Sequence, residues 1–406
     1  FANRFVRTPK WQAEEAAGQG IFRAFGTAFP GDRLVRGIAL ESPVNVSVYP
    51  YAAPGGHTLL ALGEQGLPWE LDPATLETRG PFTFGGRLNA LSPFAAHPKI
   101  DPRTGELWNF GISFSHREPR LNLYRFGPGG DLVYRRRYPL PFACSLHDFC
   151  LSPHHAIFYL SPYLLDMEAL GREGGTLMGA LSWQPERGAR LLIVERESGL
   201  AVASVPVGER YSLHTINGFE EGDRLVVDVL ELDRPVYDQY EEIPELFTSV
   251  HPGRPVRFEI DLRTGELAAR REIGYALAPD FPAIDPRRFG RPYDDLWMLG
   301  ISAAGRPGRK FFDQVLRASW SRPGEQDVWQ APQGSYLGGE PAFLGDPADE
   351  RRGVVACQLF DARREASSFL VFDAHDVAAG PLAVLPLETP VHLGFHAIFE
   401  PAPAPS

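Results

Sequence analysis

Short runs of β-branched and aromatic residues recur along most of the chain, at 107–114, 121–126, 132–138, 190–195, 224–232, 256–262, 314–320, 354–360 and 368–372. Each has the length of a strand rather than a helix, and clusters of Gly, Pro, Asp and Ser separate them. The 41 glycines and 38 prolines are the raw material of so many turns. Helical spacing is confined to two short stretches, 11–18 ("WQAEEAAG") and 163–171 ("YLLDMEALG"). A chain built this way buries its apolar faces sheet against sheet, so the expected class is all-β.

Two echoes suggest a repeated unit. "DPRTGEL" at 101–107 returns as "DLRTGEL" at 261–267, a hairpin turn with Asp at its start and Gly at its left-handed position. "LWNFGIS" at 107–113 returns as "LWMLGIS" at 296–302. Repetition over such distances favours a β-propeller, whose blades are four-stranded sheets. No proline-rich linker divides the chain, so residues 1–400 read as one propeller domain and 401–406, within "EPAPAPS", as a disordered tail.

Charge and cysteine content narrow the partners. The net charge is −11 with no long basic run, which argues against nucleic acid, because phosphate binding needs clustered Lys and Arg. Three cysteines are too few for a disulfide framework and fit a reducing, cytoplasmic compartment. No apolar run reaches the length of a membrane span, about 20 residues.

Four of the eleven histidines share a context. His97, His147, His214 and His396 each sit at the edge of an apolar strand signal, spaced as ligands contributed by successive blades would be. Neutral imidazole suits iron, zinc or copper. Two rival groupings exist. Cys144, His147 and Cys150 have zinc-ligand chemistry, but in an extended strand 144 and 150 face opposite to 147. His392 and His396 have the HxxxH spacing of helical metal sites, although Pro390 and Gly394 oppose a helix there.

Read in order, "AHPKIDPRTGELWNFG", "SLHDFCLSPHHAIFYL", "HTINGFEEGDRLVVDV" and "GFHAIFEP" resemble the four histidine motifs of the carotenoid cleavage oxygenases, the family that also holds stilbene-cleaving dioxygenases and the retinoid isomerase of the eye. "NRFVRTPKW", "LLALGEQGLPWELDPATLET" and "EPAFLGDP" are similar too, so the likeness covers essentially the whole chain. It implies a seven-bladed β-propeller with a helical and loop cap over the metal face. It also implies one non-haem Fe(II) held by His97, His147, His214 and His396, with O2 as co-substrate. Four neutral ligands leave the metal charge uncompensated, and the resemblance places carboxylates behind three rings: Glu64 for His147, Asp280 for His214 and Glu340 for His396. The implied reaction is cleavage of a conjugated carbon–carbon double bond in a hydrophobic polyene, giving two carbonyl products.

The sequence departs from the family pattern in three places. Asp280 stands where glutamate is usual, so either the backbone moves inward or water bridges a gap. Gly63 stands before Glu64, where the stilbene-cleaving branch has a phenol-recognising lysine, which favours a carotenoid or apocarotenoid over a lignostilbene-type substrate. Strands that precede "NRFVRTPKW" in the family are missing, so the propeller is expected to be N-terminally incomplete. The family also uses an apolar patch to touch membranes; the corresponding stretch here is 159–177, which otherwise packs against the propeller rim. Rival readings are a non-catalytic ligand-binding propeller, a zinc hydrolase and an isomerase.

Overall fold

The computed structural model describes residues 2–400 except 33–43, 54, 65, 115–117, 173, 237–247, 276 and 307–309. The expected tail 401–406 lies outside these residues. Six four-stranded antiparallel sheets follow one another along the chain, at 47–81, 99–139, 150–208, 211–272, 278–330 and 335–386, here called sheets I to VI. In each, every strand pairs with the next strand of the sheet, the meander of a propeller blade. Between its second strand, His155–Leu160, and its third, Ala189–Glu195, sheet III carries a two-stranded hairpin of Tyr163–Leu165 with Leu181–Trp183.

The expectation of seven blades is therefore corrected to six. Among the described residues before sheet I, the one helix or strand is a helix. Pro9 opens the helix Pro9–Ala17, the Thr8 hydroxyl accepts from the Trp11 N–H, and Gly18 ends it at φ 64°. No strand follows Pro386 among the described residues. The expected helical cap likewise reduces, among α-helices of the described residues, to this helix and a single turn at Met167–Leu170. That turn replaces the helix read at 163–171. Tyr163 and Leu165 are buried strand residues, and Asp166 then caps the turn through the N–H groups of Glu168 and Ala169.

The chain divides into two compact units, Phe1–Leu213 with Arg234–Leu246, and His214–Asp233 with Phe247–Ser406. The core of the first includes Leu60, Leu62, Phe84, Phe94, Tyr124 and Phe126, with Phe84 stacked on Phe126 at 4.2 Å between centroids. In the second, Trp297, Leu299, Val315, Leu337, Phe343, Val355 and Phe372 form one cluster. Each fully buried Phe or Leu of this kind contributes about 1.5–3 kcal/mol.

The two sequence echoes have different structural weight. Gly105 and Gly265 take φ 70° and 71°, and Asp101 and Asp261 each accept from the N–H two residues on, so the turns match. Yet the first joins strands one and two of sheet II, whereas the second joins strands three and four of sheet IV. "LWNFGIS" and "LWMLGIS" do occupy equivalent places, the second strands of sheets II and V. Their glycines share a reason: a Cβ on Gly111 would collide with the Pro93 carbonyl, and one on Gly300 with the Tyr275 hydroxyl.

Candidate metal centre

The backbone leading up to His97 is held by its neighbours before any ligand is considered. The Ala95 N–H donates to the Phe110 carbonyl at 2.8 Å, Asn109 Nδ2 donates to the Ala95 carbonyl at 2.8 Å, and the Ser47 hydroxyl donates to the Ala96 carbonyl. Pro98 then sets φ on the way into the two-residue strand Lys99–Ile100. His147 precedes the equally short strand Cys150–Leu151, where Phe149 packs between Phe110 and Phe158 at 5.4 and 5.2 Å. Within this first unit, His97 Nε2 lies 2.9 Å from His147 Nε2.

In the second unit His214 sits in the buried opening of the strand Tyr211–Glu221. His396 lies beyond the last strand, on a segment tied to sheet VI. Gly339 N–H donates to the Gly394 carbonyl at 2.7 Å. The Gln358 amide donates to the His392 carbonyl at 2.9 Å and accepts from Gly394 N–H at 3.0 Å. Glycine at 338 permits this approach, since a Cβ there would stand 2.8 Å from Leu393. The rings of His214 and His396 are 4.9 Å apart.

Three rings have a carboxylate behind them. Glu64 Oε1 is 2.5 Å from His147 Nδ1, Asp280 Oδ1 is 2.5 Å from His214 Nδ1, and Glu340 Oε2 is 3.2 Å from His396 Nδ1. An ionised carboxylate can only accept, so each Nδ1 carries the proton and each Nε2 keeps its lone pair. The shorter Asp280 reaches its ring directly, with no gap for water. Both Asp280 and Glu340 sit at ladder irregularities, where pairing shifts between Asp280 and Ala283 and between Gly338 and Ala342. Burial pushes the Asp280 carboxyl up, but the charge and hydrogen bond of His214, the Phe281 N–H and the charge of His396 together hold it below its ordinary value.

His97 with His147 in the first unit and His214 with His396 in the second make up the potential metal-binding group among the described residues. These four histidines can hold a metal ion, and the carboxylates behind three of them supply the negative charge a cation balances. The cysteine grouping does not form. Burial pushes the Cys144 thiol up to about 12, and His147 turns Nδ1 to Glu64 instead. His392 is also outside the group.

The family model described as RPE65, retinal pigment epithelial membrane protein, matches residues 1–401. The chain belongs to the RPE65/carotenoid cleavage oxygenase family. Among members of this family, apocarotenoid-15,15'-oxygenase of Synechocystis is 27% identical over 98% of this chain and 81% of its own length. Isoeugenol monooxygenase of Pseudomonas putida is 28% identical over 98% of the chain and 84% of its own. The crystal structure of lignostilbene dioxygenase from Pseudomonas brassicacearum superposes with a TM-score of 0.82 at 27% identity, covering 98% of this chain and 83% of that one. These RPE65-family relatives are oxygenases by name.

Residues the sequence reading passed over now stand out around this RPE65-family site. Phe281, buried at φ 54°, packs on both His214 and His396 at 5.6 and 5.2 Å. Lys99 and Asp148 pair at 2.8 Å beside the first two histidines. Their signal was adjacency, in "HPK" and "HD". Gln358 had none, because its partners lie more than thirty residues away. In the stretch 159–177, Tyr159, Leu160, Tyr163 and Leu165 are buried and Met167 is exposed. No helix among the described residues is long and apolar enough to cross a membrane.

Proposed function

We propose that the chain is a non-haem Fe(II) dioxygenase that cleaves a conjugated carbon–carbon double bond of a carotenoid or apocarotenoid into two carbonyl products. The observation that carries this reading is the group of four histidine nitrogens, three of them on rings backed by carboxylates. His97, His147, His214 and His396 hold the ion through neutral imidazole, a donor set suited to iron and lacking thiolate. Glu64, Asp280 and Glu340 keep the proton on Nδ1 of their rings and so would leave the Nε2 lone pair to bind a metal. Bound Fe(II) supplies the redox chemistry through which O2 reacts with the alkene. The protein orients the alkene and limits water; His97 and His214 are only 3% and 4% exposed.

The names of relatives favour a second reading, cleavage of an aryl alkene such as a hydroxystilbene. Gly63, buried before Glu64, offers no cation to a phenolate, which supports the polyene. Collection of the polyene from a membrane surface near the exposed Met167 belongs to the same proposal. The test is incubation of the iron-loaded chain with an apocarotenoid and with a hydroxystilbene under oxygen, followed by mass analysis. Paired carbonyl fragments from the apocarotenoid support the first reading. Fragments from the stilbene alone select the second, and a product of unchanged mass indicates isomerisation.

A further inference from the structure

We infer that the Lys99–Asp148 ion pair is a positioning device that holds the His97 and His147 segments in register for the metal; this rests on the reading that the four histidines bind one ion. Lys99 lies two residues beyond His97, and Asp148 directly follows His147. Lys99 Nζ stands 2.8 Å from Asp148 Oδ1, with the side chains 19% and 3% exposed. The approach is a close ion pair rather than an aligned hydrogen bond. The same ammonium lies 5.9 Å from the centre of the buried Phe149 ring, so the pair sits against apolar core, where charge attraction is little screened.

The need for such a device follows from the rings themselves. His97 and His147 bring Nε2 to within 2.9 Å of Nε2, and their ring centroids are 4.4 Å apart. The carboxylate of Glu64 fixes the His147 proton on Nδ1, so its Nε2 presents a lone pair to the neighbouring ring. Two nitrogen lone pairs at that distance repel unless a cation or proton lies between them. Both strands that follow these histidines are only two residues long, so ladder hydrogen bonds restrain the segments weakly. The ion pair supplies a direct bond between the same two segments. Removing either charge breaks this link, which lies one or two residues from a ligand.

The experiment compares the unsubstituted chain with Lys99→Met, Lys99→Arg and Asp148→Asn. It measures the Co(II) dissociation constant by chelator competition, the visible spectrum of bound Co(II), and the melting temperature of the metal-free chain. Neutralising either charge is expected to weaken Co(II) binding about tenfold or more, within the range for groups that orient metal ligands, and to shift the Co(II) bands. Lys99→Arg, which keeps the charge, is expected to stay within about threefold. Co(II) affinity and spectrum unchanged in Lys99→Met and Asp148→Asn would overturn the inference. So would equal weakening in Lys99→Arg and Lys99→Met, which would assign the effect to packing alone. If a neutralised variant does not fold, Lys99→Arg and the remaining variant decide on the same criteria. Failure of the unsubstituted chain to bind one Co(II) would instead defeat the metal-centre reading, so the two failures are distinguishable.

Discussion

Asp280 Oδ1 stands 2.5 Å from His214 Nδ1 and also accepts from the Phe281 N–H at 2.8 Å. One carboxylate oxygen thus fixes both the ring tautomer and the backbone that carries the acid. Asp280→Asn keeps the shape and loses the charge, and is expected to weaken Fe(II) binding by about 10–100-fold. Asp280→Glu, which keeps the charge, is expected to retain affinity or improve it. Metal content after graded chelator dialysis checks both; a marked loss in Asp280→Glu would show that the shorter acid is structurally required.

Phe281 is bulky and yet adopts a left-handed backbone, at φ 54°. Removing its ring is expected to cost about 3–5 kcal/mol. Backbone strain of this kind costs about 1–3 kcal/mol, and glycine relieves it whereas alanine does not. Phe281→Gly should therefore be more stable than Phe281→Ala by about 1 kcal/mol or more, the reverse of the usual order. Urea unfolding of the metal-free variants measures the difference, and an alanine variant at least as stable as glycine would contradict it.

Much of this arrangement was legible before the structure. The strands at Leu107–Ser113, Arg120–Phe126 and Arg224–Leu232 follow directly from their side chains, and the four histidines stood out by their apolar contexts. The first strands of sheets II and III did not, since Lys99–Ile100 and Cys150–Leu151 are too short to show a period. Glu64, Asp280 and Glu340 came from family likeness alone, because each meets a ring more than fifty residues away and no local pattern marks such a pairing. The blade count failed for a similar reason. It was taken from the resemblance, whereas Thr8 and Pro9 are a helix start in plain sight.

Asp101 makes the first of the echoed turns part of the core. Its carboxylate, fully buried, meets Arg196 at 2.7 Å, while Asp261 in the second turn bonds locally. Burial pushes the Asp101 carboxyl up, but the Arg103 N–H and the Arg196 guanidinium outweigh it and hold the carboxyl below its ordinary value. A depressed acid stabilises the fold above the unfolded-state value, and the contribution is lost as pH falls through the folded-state value. Asp101→Asn should cost about 3 kcal/mol at neutral pH. The gap to the unsubstituted chain should narrow below about pH 4, in unfolding measured from pH 7 downward. A gap independent of pH would contradict this.

Gly111 and Gly300 are equivalent in their sheets, but a side chain at each meets a different kind of obstacle. At Gly111 the collision is with backbone, the Pro93 carbonyl; at Gly300 it is with the end of a side chain, the Tyr275 hydroxyl. Overpacking costs about 1–3 kcal/mol. Gly111→Ala is expected at or above the top of that range and Gly300→Ala below it, as read from melting temperatures. Equal losses would show that the Tyr275 ring is as immobile as main chain.

Convergence of His97, His147, His214 and His396 on a single ion is tested most directly by X-ray absorption at the iron edge, with metal analysis, on the Fe(II)-loaded chain and its His214→Ala variant. The expected result is one iron per chain in a shell containing four imidazole nitrogens, with iron retention lost in the variant. Iron bound through thiolate or a carboxylate-dominated shell, or retained in full by His214→Ala, would contradict it.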